Sequence, residues 1–477
     1  MFKHLHQSRF TFLSTSILAG AIGALVPAAP AQAAATPPSM AGKNSVAPPS
    51  VASQSTGRNS AAGASAAVLA GSSDASIRPF SFRASDEDLA ELKRRIVTAK
   101  WPERELVPDG SQGVQLATMQ KLADYWANGY DWRKVEAKLN SFPNFITEID
   151  GLDIHFIHVK SKHPNAMPII ITHGWPGSIV EQLKIIEPLT DPTAHGGRAE
   201  DAFDVVIPSL PGYGFSAKPT VTGWNPPRIA QAWITLMKRL GYKRFTAQGG
   251  DWGALMTELI GVIAPPELVA IHTNMPSTVP PEIFQALREG KGPPAGISAE
   301  EALAYERLEL FFTHGLAYAQ EMGKRPQTLY GIVDSPVGLA AWFLDHDKLS
   351  YEMIARTFDG KPEGLSQDDV LDNVTITWLT NTAISAARLY WEALPPTSPG
   401  FGVGLSNVRF FEPFGVKVPV AVTRFPQELY PVPRSWAERT YPKLIHFNAV
   451  PKGGHFAAFE QPKFLVDELR SAFRSVR

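Results

Sequence analysis

The pattern of hydrophobic positions along this chain changes at Phe145. From there, short apolar runs alternate with amphipathic helical patterns such as the one over 227–240. Several of the runs are apolar without interruption, as strands buried on both faces of a sheet require. This alternation predicts an α/β fold with an open, mostly parallel, doubly wound sheet. The strands are expected at 145–149, 154–159, 168–172, 204–208, 244–247, 269–273, 418–423 and 444–450.

Two regions depart from this alternation. Residues 77–144 carry only helical patterns, the first of which follows a capping-box sequence at Ser85, and they predict an N-terminal helical wrapping segment. Residues 276–414 carry long helical patterns at 298–322 and 369–391. An insertion of this size between two strands predicts a helical cap, and catalytic groups are expected beneath it, in loops at the carboxyl ends of the strands. The α/β core then has two parts, residues 145–275 and 415–477.

The N-terminus has the form of a targeting signal. Residues 1–33 combine Lys3 and Arg9, an apolar stretch, and the small-x-small sequence Ala31-Gln32-Ala33. They predict a cleaved signal for export to the periplasm or the medium, with no stable membrane insertion after cleavage. A retained anchor is the alternative. Residues 34–76 are rich in Ala, Ser, Pro and Gly and predict a disordered linker.

Composition narrows the range of functions. The chain has 477 residues, 44% of them hydrophobic and 19% charged, as in an ordinary globular protein. A net charge of −1 gives no electrostatic reason to expect nucleic acid as a partner. The absence of cysteine excludes disulfides, thiol catalysis and thiolate-bound metals.

A glycine-rich turn at 249–253 offers a nucleophile. It joins a strand pattern to a helical pattern and has the form small-x-nucleophile-x-small, with Asp251 in the central position. Glycine is expected at 249 and 253 because a side chain there would collide with the neighbouring strand and helix. A carboxylate at such an elbow can attack carbon and form an ester. A plain turn with an N-capping aspartate is the alternative.

A histidine and an acid follow in the order that this chemistry needs. His455 lies in a glycine-rich loop after the last strand, and no other histidine of the chain has such a placement; His346, for example, lies in the cap pattern without a matching strand end. An acid that orients this base belongs after the preceding strand, where Glu428 is the remaining candidate once Glu412 and Glu438 are set aside. The resulting order of nucleophile, acid and histidine is that of α/β hydrolases.

The loop after the strand at 168–172 is suited to an oxyanion hole. It reads His-Gly-Trp-Pro-Gly over 173–177 and can turn a backbone N–H inward. The N–H groups of Trp175 and Trp252 are the expected donors. A tight turn alone would explain the glycine and the proline equally well.

Taken together, these motifs resemble the epoxide hydrolases of the microsomal and juvenile-hormone branch of the α/β-hydrolase family. The resemblance runs from Ile77 to the C-terminus. It rests on 77–80, 100–102, HGWPGS at 173–178, PGYGFS at 211–216, GGDWG at 249–253, DSPVGLAA at 334–341 and GGHFAAFE at 453–460.

The resemblance implies a function and a set of site residues. Asp251 corresponds to the nucleophile, Glu428 to the acid, His455 to the base, and Tyr318 and Tyr390 to the tyrosines that activate the epoxide; spacing alone does not single out these tyrosines. We therefore expect hydrolysis of a small, hydrophobic epoxide to a vicinal diol through an ester, without cofactor or metal. The oligomeric state is left open. One departure is the cleavable-looking signal, where microsomal enzymes retain a membrane anchor.

Two other functions fit part of the pattern. A haloalkane dehalogenase uses the same aspartate nucleophile, and Trp252 could hold the leaving halide, but such an enzyme has no need of paired cap tyrosines. A binding protein on a hydrolase fold has no need of the complete set of nucleophile, acid, base and oxyanion loop.

Overall fold

The structure is a computed structural model, and it describes residues 75–393 and 411–477. The predicted signal at 1–33, nearly all of the predicted linker and part of the predicted cap lie outside the described residues. Within the described ranges, none of the helices combines the length and the apolar character that crossing a membrane requires.

One sheet of nine strands organises the described part of the chain. Its spatial order is β1-β2-β3-β5-β4-β6-β7-β8-β9. The strands are β1 Arg78–Phe80, β2 Asn144–Ile149, β3 Leu152–Val159, β4 Met167–Thr172, β5 Phe203–Pro208, β6 Phe245–Gly249, β7 Leu268–Thr273, β8 Val420–Arg424 and β9 Leu444–Ala449. Strands β1, β2 and β3 pair antiparallel at one edge, and β5, β4, β6, β7, β8 and β9 run parallel. The α/β-hydrolase fold class expected from the sequence is confirmed.

The strand order explains where a site belongs. The chain passes from β4 outward to β5 and then returns to place β6 on the other side of β4. Ligands of open α/β sheets bind where the strand order reverses in this way, outside the carboxyl ends of the strands. The loops after β4, β6, β8 and β9 all open at this edge.

Burial explains why these runs became strands. Residues 169–171 of β4 are three consecutive isoleucines with no exposed surface. Their branched side chains suit an extended backbone, and both faces of the strand are covered by helices, so continuous apolar sequence replaces alternation.

Seventeen α-helices of the described residues surround the sheet or form the cap. Those of the N-terminal segment and the core are α1 Asp86–Val97, α2 Leu116–Asn128, α3 Trp132–Asn140, α4 Leu183–Thr190, α5 Pro226–Arg239, α6 Trp252–Ile263, α15 Arg434–Thr440, α16 Ala457–Glu460 and α17 Pro462–Phe473. Those of the cap region are α7 Pro281–Arg288, α8 Ala299–Leu310, α9 Ala317–Lys324, α10 Tyr330–Asp334, α11 Pro336–Leu344, α12 Lys348–Phe358, α13 Gln367–Leu379 and α14 Ala383–Ala393.

Three details of the helical expectation were wrong. The N-terminal segment is not entirely helical, because β1 pairs with β2 at the edge of the sheet. Strand β1 has only three residues with a proline at the centre, so its sequence is too short to show the two-residue alternation of apolar and polar positions that indicates a strand. The expected cap helix over 369–391 is broken, because Asn381 adopts a φ of 50° and separates α13 from α14. The expected helix over 298–322 likewise splits at a π-helical turn, Phe311–Gly315.

The N-terminal segment is bonded to the cap. The indole N–H of Trp126 in α2 donates to the Thr375 hydroxyl of α13 at 3.1 Å. The Tyr130 hydroxyl donates to Asp372 of the same helix at 2.7 Å. Helix α13 is therefore held by hydrogen bonds from the N-terminal segment.

Candidate active site

Asp251 lies at the sharp turn between β6 and α6. Its backbone has φ 51° and ψ −129°, a conformation that non-glycine residues rarely adopt and that a nucleophile elbow imposes. A Cβ on Gly249 would lie 2.0 Å from the carbonyl oxygen of Gly253, and a Cβ on Gly253 would lie 1.9 Å from that of Thr172. The turn can therefore close only with glycine at both positions.

The loop after β4 meets the side chain of Asp251. The backbone N–H of Trp175 donates to Oδ1 of Asp251 at 2.7 Å. A Cβ on Gly174 would lie 2.1 Å from the same oxygen, so glycine is required for this approach. Trp252, the other expected donor, is the first residue of α6 and directly follows the nucleophile.

His455 and Glu428 form a buried pair beside this carboxylate. Nδ1 of His455 is 2.7 Å from Oε1 of Glu428, and Nε2 is 3.7 Å from Oδ2 of Asp251. Their side chains are only 3% and 1% exposed, so water does not screen the interaction. The structure thus brings together the three residues expected from chain order.

The charges around His455 determine whether its imidazole is protonated. Burial disfavours the charged form of His455, but the charge and hydrogen bond of Glu428, together with the charge of Asp251, outweigh burial and raise the pKa of His455 from 6.5 to about 10. With both carboxylates charged, the imidazole therefore holds a proton at neutral pH. Loss of the Asp251 charge lowers the pKa of His455.

The His455 loop is held by a second buried acid that the sequence did not reveal. Oε2 of Glu460 accepts the N–H of Gly454 at 2.7 Å, and Oε1 accepts the N–H of Phe456 at 2.8 Å. These donors flank His455 on both sides. Glu428 is held in turn by the Asn274 amide, which donates to its Oε2 at 3.3 Å.

Tyr318 of α9 and Tyr390 of α14 face the site from the cap. Their ring centroids lie 5.9 Å apart, and the Tyr390 ring meets the Trp252 indole edge-on at 4.7 Å. Burial, with the negative charge of Asp251 adding to it, raises the pKa of both phenols well above 10. Both hydroxyls therefore remain protonated and can donate hydrogen bonds.

An apolar cavity of about 330 Å³ connects these groups. Asp251, Trp252, Tyr318 and Tyr390 lie along its wall. Most of the remaining wall is hydrophobic and includes Leu255, Leu259, Met275, Phe311, Leu316 and Phe414. This is a mostly apolar cleft with a few convergent polar groups, as small-molecule sites are.

A second cavity of about 20 Å³ lies against the other side of the nucleophile. Asp251, His455, Trp175 and the buried Glu181 are among the residues that line it. Its volume is that of about one water molecule. Burial raises the pKa of the Glu181 carboxyl from 4.5 to about 8, so this acid is uncharged at neutral pH.

His346, which the sequence analysis set aside, also lies at the nucleophile. It follows α11 in the cap, and its Nε2 is 3.9 Å from Oδ2 of Asp251. Its ring centroid is 4.4 Å from that of His455. The sequence signal was the run Asp345-His346-Asp347 before α12, but only the packing of the cap on the sheet turns this run toward Asp251.

Comparisons with known proteins agree with this geometry. Residues 77–182 match the family model for the epoxide hydrolase N terminus, and residues 167–290 match that for the α/β hydrolase fold. The chain is 49% identical over 405 residues to a provisionally named epoxide hydrolase of Stigmatella aurantiaca, covering 84% of this chain and 86% of the relative. It is 36% identical to Epoxide hydrolase 1 of Oryctolagus cuniculus, covering 84% and 89%.

Solved structures give the same result. The juvenile hormone epoxide hydrolase of the silkworm Bombyx mori superimposes with a TM-score of 0.73 at 30% identity, covering 86% of this chain and 96% of that one. The Aspergillus niger epoxide hydrolase superimposes with a TM-score of 0.69 at 32% identity, covering 85% and 98%. This chain therefore belongs to the epoxide hydrolase family, in the branch of the α/β-hydrolase fold that includes the microsomal and juvenile-hormone enzymes, and it is an epoxide hydrolase.

Proposed function

We propose that this enzyme opens epoxides in two steps through an ester on Asp251. The proposal rests on one observation, the arrangement of hydrogen-bond donors and the base around the Asp251 carboxylate. Oδ1 of Asp251 accepts the Trp175 N–H, Oδ2 lies 3.7 Å from Nε2 of His455, and the carboxylate shares a cavity wall with Tyr318 and Tyr390.

In the first step, Oδ2 of Asp251 attacks an epoxide carbon. The ring C–O bond breaks, and its electron pair passes to the epoxide oxygen, which takes hydrogen bonds and then a proton from the tyrosine side of the cavity. Tyr318 and Tyr390 are suited to this role because burial keeps their hydroxyls protonated. The product is a glycol monoester of Asp251, in which this residue no longer carries a charge.

In the second step, His455 acts as a base. Esterification removes the Asp251 charge that helps to raise the His455 pKa, so the imidazole can release its proton, which replaces the one that the epoxide oxygen took from the tyrosine side. The neutral imidazole then accepts a proton from water. The water oxygen attacks Cγ of Asp251, and the charge that develops on Oδ1 is held by the N–H groups of Trp175 and Trp252. Collapse breaks the ester bond, the departing alkoxide takes a proton from His455, and the hydroxyl proton left on Asp251 returns to the imidazole, which restores the carboxylate and releases a vicinal diol.

The cavity supports an apolar epoxide as substrate. A volume of about 330 Å³ is near the lower end of ligand pockets, which span roughly 300–1,000 Å³. Paired phenol donors suit an oxygen leaving group that stays attached to the substrate. This favours an epoxide over the haloalkane that the sequence alone also allowed.

The ester is tested by removing the base. His455→Gln keeps a side chain of similar bulk but cannot serve as a base near neutral pH. Incubated with a terminal alkyl epoxide, the variant should gain the full mass of one epoxide, and peptide mapping should locate this mass on the fragment that contains Asp251. Direct attack by water on the epoxide would require His455 in the only chemical step and would leave no adduct.

A histidine elsewhere provides the control. His195 is exposed at the end of a short 3₁₀ helix, Pro192–His195, so His195→Gln should turn over without accumulating an adduct. A folded His455→Gln protein that binds the epoxide but gains no mass after prolonged incubation would refute the ester mechanism.

We also propose that residues 1–33 direct export and are then removed. The proposal is supported by the two basic residues, the apolar stretch and the small-x-small sequence that ends at Ala33.

A further inference from the structure

Three possible metal ligands converge beneath the cap. Oδ2 of Asp251 lies 3.7 Å from Nε2 of His455 and 3.9 Å from Nε2 of His346. All three ligand atoms are within 4.8 Å of one another. Both histidine side chains are almost completely buried, at 3% and 1% exposure. His346 has no part in the proposed mechanism.

Each of the two imidazoles is oriented by a carboxylate on its other nitrogen. Nδ1 of His455 is 2.7 Å from Glu428, and Nδ1 of His346 is 2.9 Å from Asp347. Carboxylates that hold Nδ1 in this way are the usual outer partners of metal-binding histidines, because they fix the ring and direct Nε2 to the metal. Nε2 of His346 is buried and has no hydrogen-bond partner. A buried Nε2 of His346 without a hydrogen-bond partner is a second, independent indication of a ligand at this point.

We propose that Asp251, His346 and His455 form a binding site for Zn²⁺, and that an ion bound there inhibits the enzyme reversibly. Two imidazoles and one carboxylate are a ligand set that zinc adopts with its fourth position open. With metal–ligand distances of about 2.0–2.1 Å, tetrahedral ligands lie about 3.3 Å apart. The two separations from Oδ2 exceed this value by about half an ångström, and the two Nε2 atoms lie within 4.8 Å of each other. Rotation of the side chains can bring the three ligands together.

The inhibition follows from the atoms that the ion occupies. Zinc at this point would take up Oδ2 of Asp251, the proposed nucleophile, and Nε2 of His455, the proposed base, and would displace into solvent the proton that this imidazole holds at neutral pH. The ion is thus an inhibitor here and not a cofactor. Inhibition rests on the proposed function, whereas binding rests only on the three ligands, and the two can be measured apart.

Binding is tested by isothermal titration of zinc chloride into the full-length, untagged protein, with no epoxide present. We expect one ion per chain at a site of micromolar or tighter affinity. Cobalt should give the intense visible absorption of a site with fewer than six ligands. Magnesium and calcium should not compete, because two nitrogen donors favour borderline cations over hard ones.

Variants identify the ligands. His346→Gln should weaken zinc binding by at least about tenfold, whereas His195→Gln, at an exposed position, should leave it unchanged. Asp251→Ala removes a ligand without changing the cap, and it should also weaken zinc binding by at least about tenfold. This second variant tests the site if His346→Gln does not fold. Thermal unfolding monitors the fold of each variant.

The outcomes separate the two proposals. Absence of a stoichiometric zinc site in the wild type, or equal affinity in wild type, His346→Gln and Asp251→Ala, would overturn the site. Zinc that binds through these ligands but leaves epoxide turnover unchanged would overturn the inhibition. Turnover that falls in proportion to zinc occupancy and returns with a chelator supports both.

Discussion

Gly174→Ala should disable the enzyme without touching any proposed catalytic side chain. The added Cβ would lie 2.1 Å from Oδ1, 2.5 Å from Cβ and 2.6 Å from Cγ of Asp251. The elbow cannot shift its backbone away, because Gly249 and Gly253 are already in contact with neighbouring backbone. Rotation of the Asp251 side chain cannot move its Cβ, so the loop at 173–177 must shift away from the elbow, which breaks the 2.7 Å hydrogen bond from Trp175.

The size of the effect follows from that lost bond. Removing one oxyanion-hole donor reduces kcat by about 100- to 1,000-fold, or roughly 2.7–4 kcal/mol. Alkylation should slow as well, because the carboxylate loses the hydrogen bond that positions it for attack. Overpacking of this kind costs about 1–3 kcal/mol of stability, so the variant should remain folded at room temperature.

The assay separates the two steps. Intact-protein mass spectrometry after rapid mixing with epoxide gives the rates at which the adduct forms and disappears, and steady-state diol formation gives kcat. Gly292→Ala is the matched control, because a Cβ there meets no atom within 4 Å. A Gly174→Ala enzyme within about threefold of wild type in both rates would show that the Trp175 N–H does not hold the reacting carboxylate.

The other predictions concern the cap, a buried acid and the N-terminus. Tyr318→Phe and Tyr390→Phe should each slow alkylation by about 10- to 100-fold, or about 1.4–2.7 kcal/mol; a double variant that alkylates at the wild-type rate would remove both hydroxyls from the mechanism. Glu181, with a pKa raised from 4.5 to about 8, binds a proton in the folded state that the unfolded chain releases, so stability should fall as pH rises from 4.5 to 8. Glu181→Gln should flatten that decline in thermal unfolding, and an unchanged slope would contradict it. N-terminal sequencing of exported protein should give a start at or near Ala34, and a retained apolar stretch in a membrane fraction would count against a cleaved signal.

Most residues of the site could be predicted from the sequence because they follow parallel strands. Asp251, Glu428 and His455 each follow a different parallel strand, and the carboxyl ends of such strands meet at one edge. Chain order and glycine placement therefore sufficed to expect that they lie together. Glu428 could be selected because its competitors lay before the strand or within α15.

Residues of the cap could not be placed in this way. Helical periodicity shows which face of a helix is buried, but not which partner it meets. Tyr318 and Tyr390 were therefore chosen only by family resemblance, and His346 was passed over. Its approach to Asp251 depends on how α11 and α12 pack on the sheet, a contact between residues about a hundred positions apart. Glu460 was missed for a different reason, because a buried acid that accepts backbone N–H groups has no sequence period.

The hydrogen bond between α2 and α13 has a consequence for biosynthesis. Trp126 is made 249 residues before its partner Thr375. At synthesis rates of about 5–20 residues per second, the partner emerges roughly 12 to 50 seconds later. For most of that interval, until α11 and α12 have been made, the apolar face of α2, with Met119, Leu122 and Trp126, has no cap helix to cover it. Chaperone dependence of this enzyme should therefore centre on its first folded helices, and slowing translation between α2 and α13 should increase aggregation of the nascent chain.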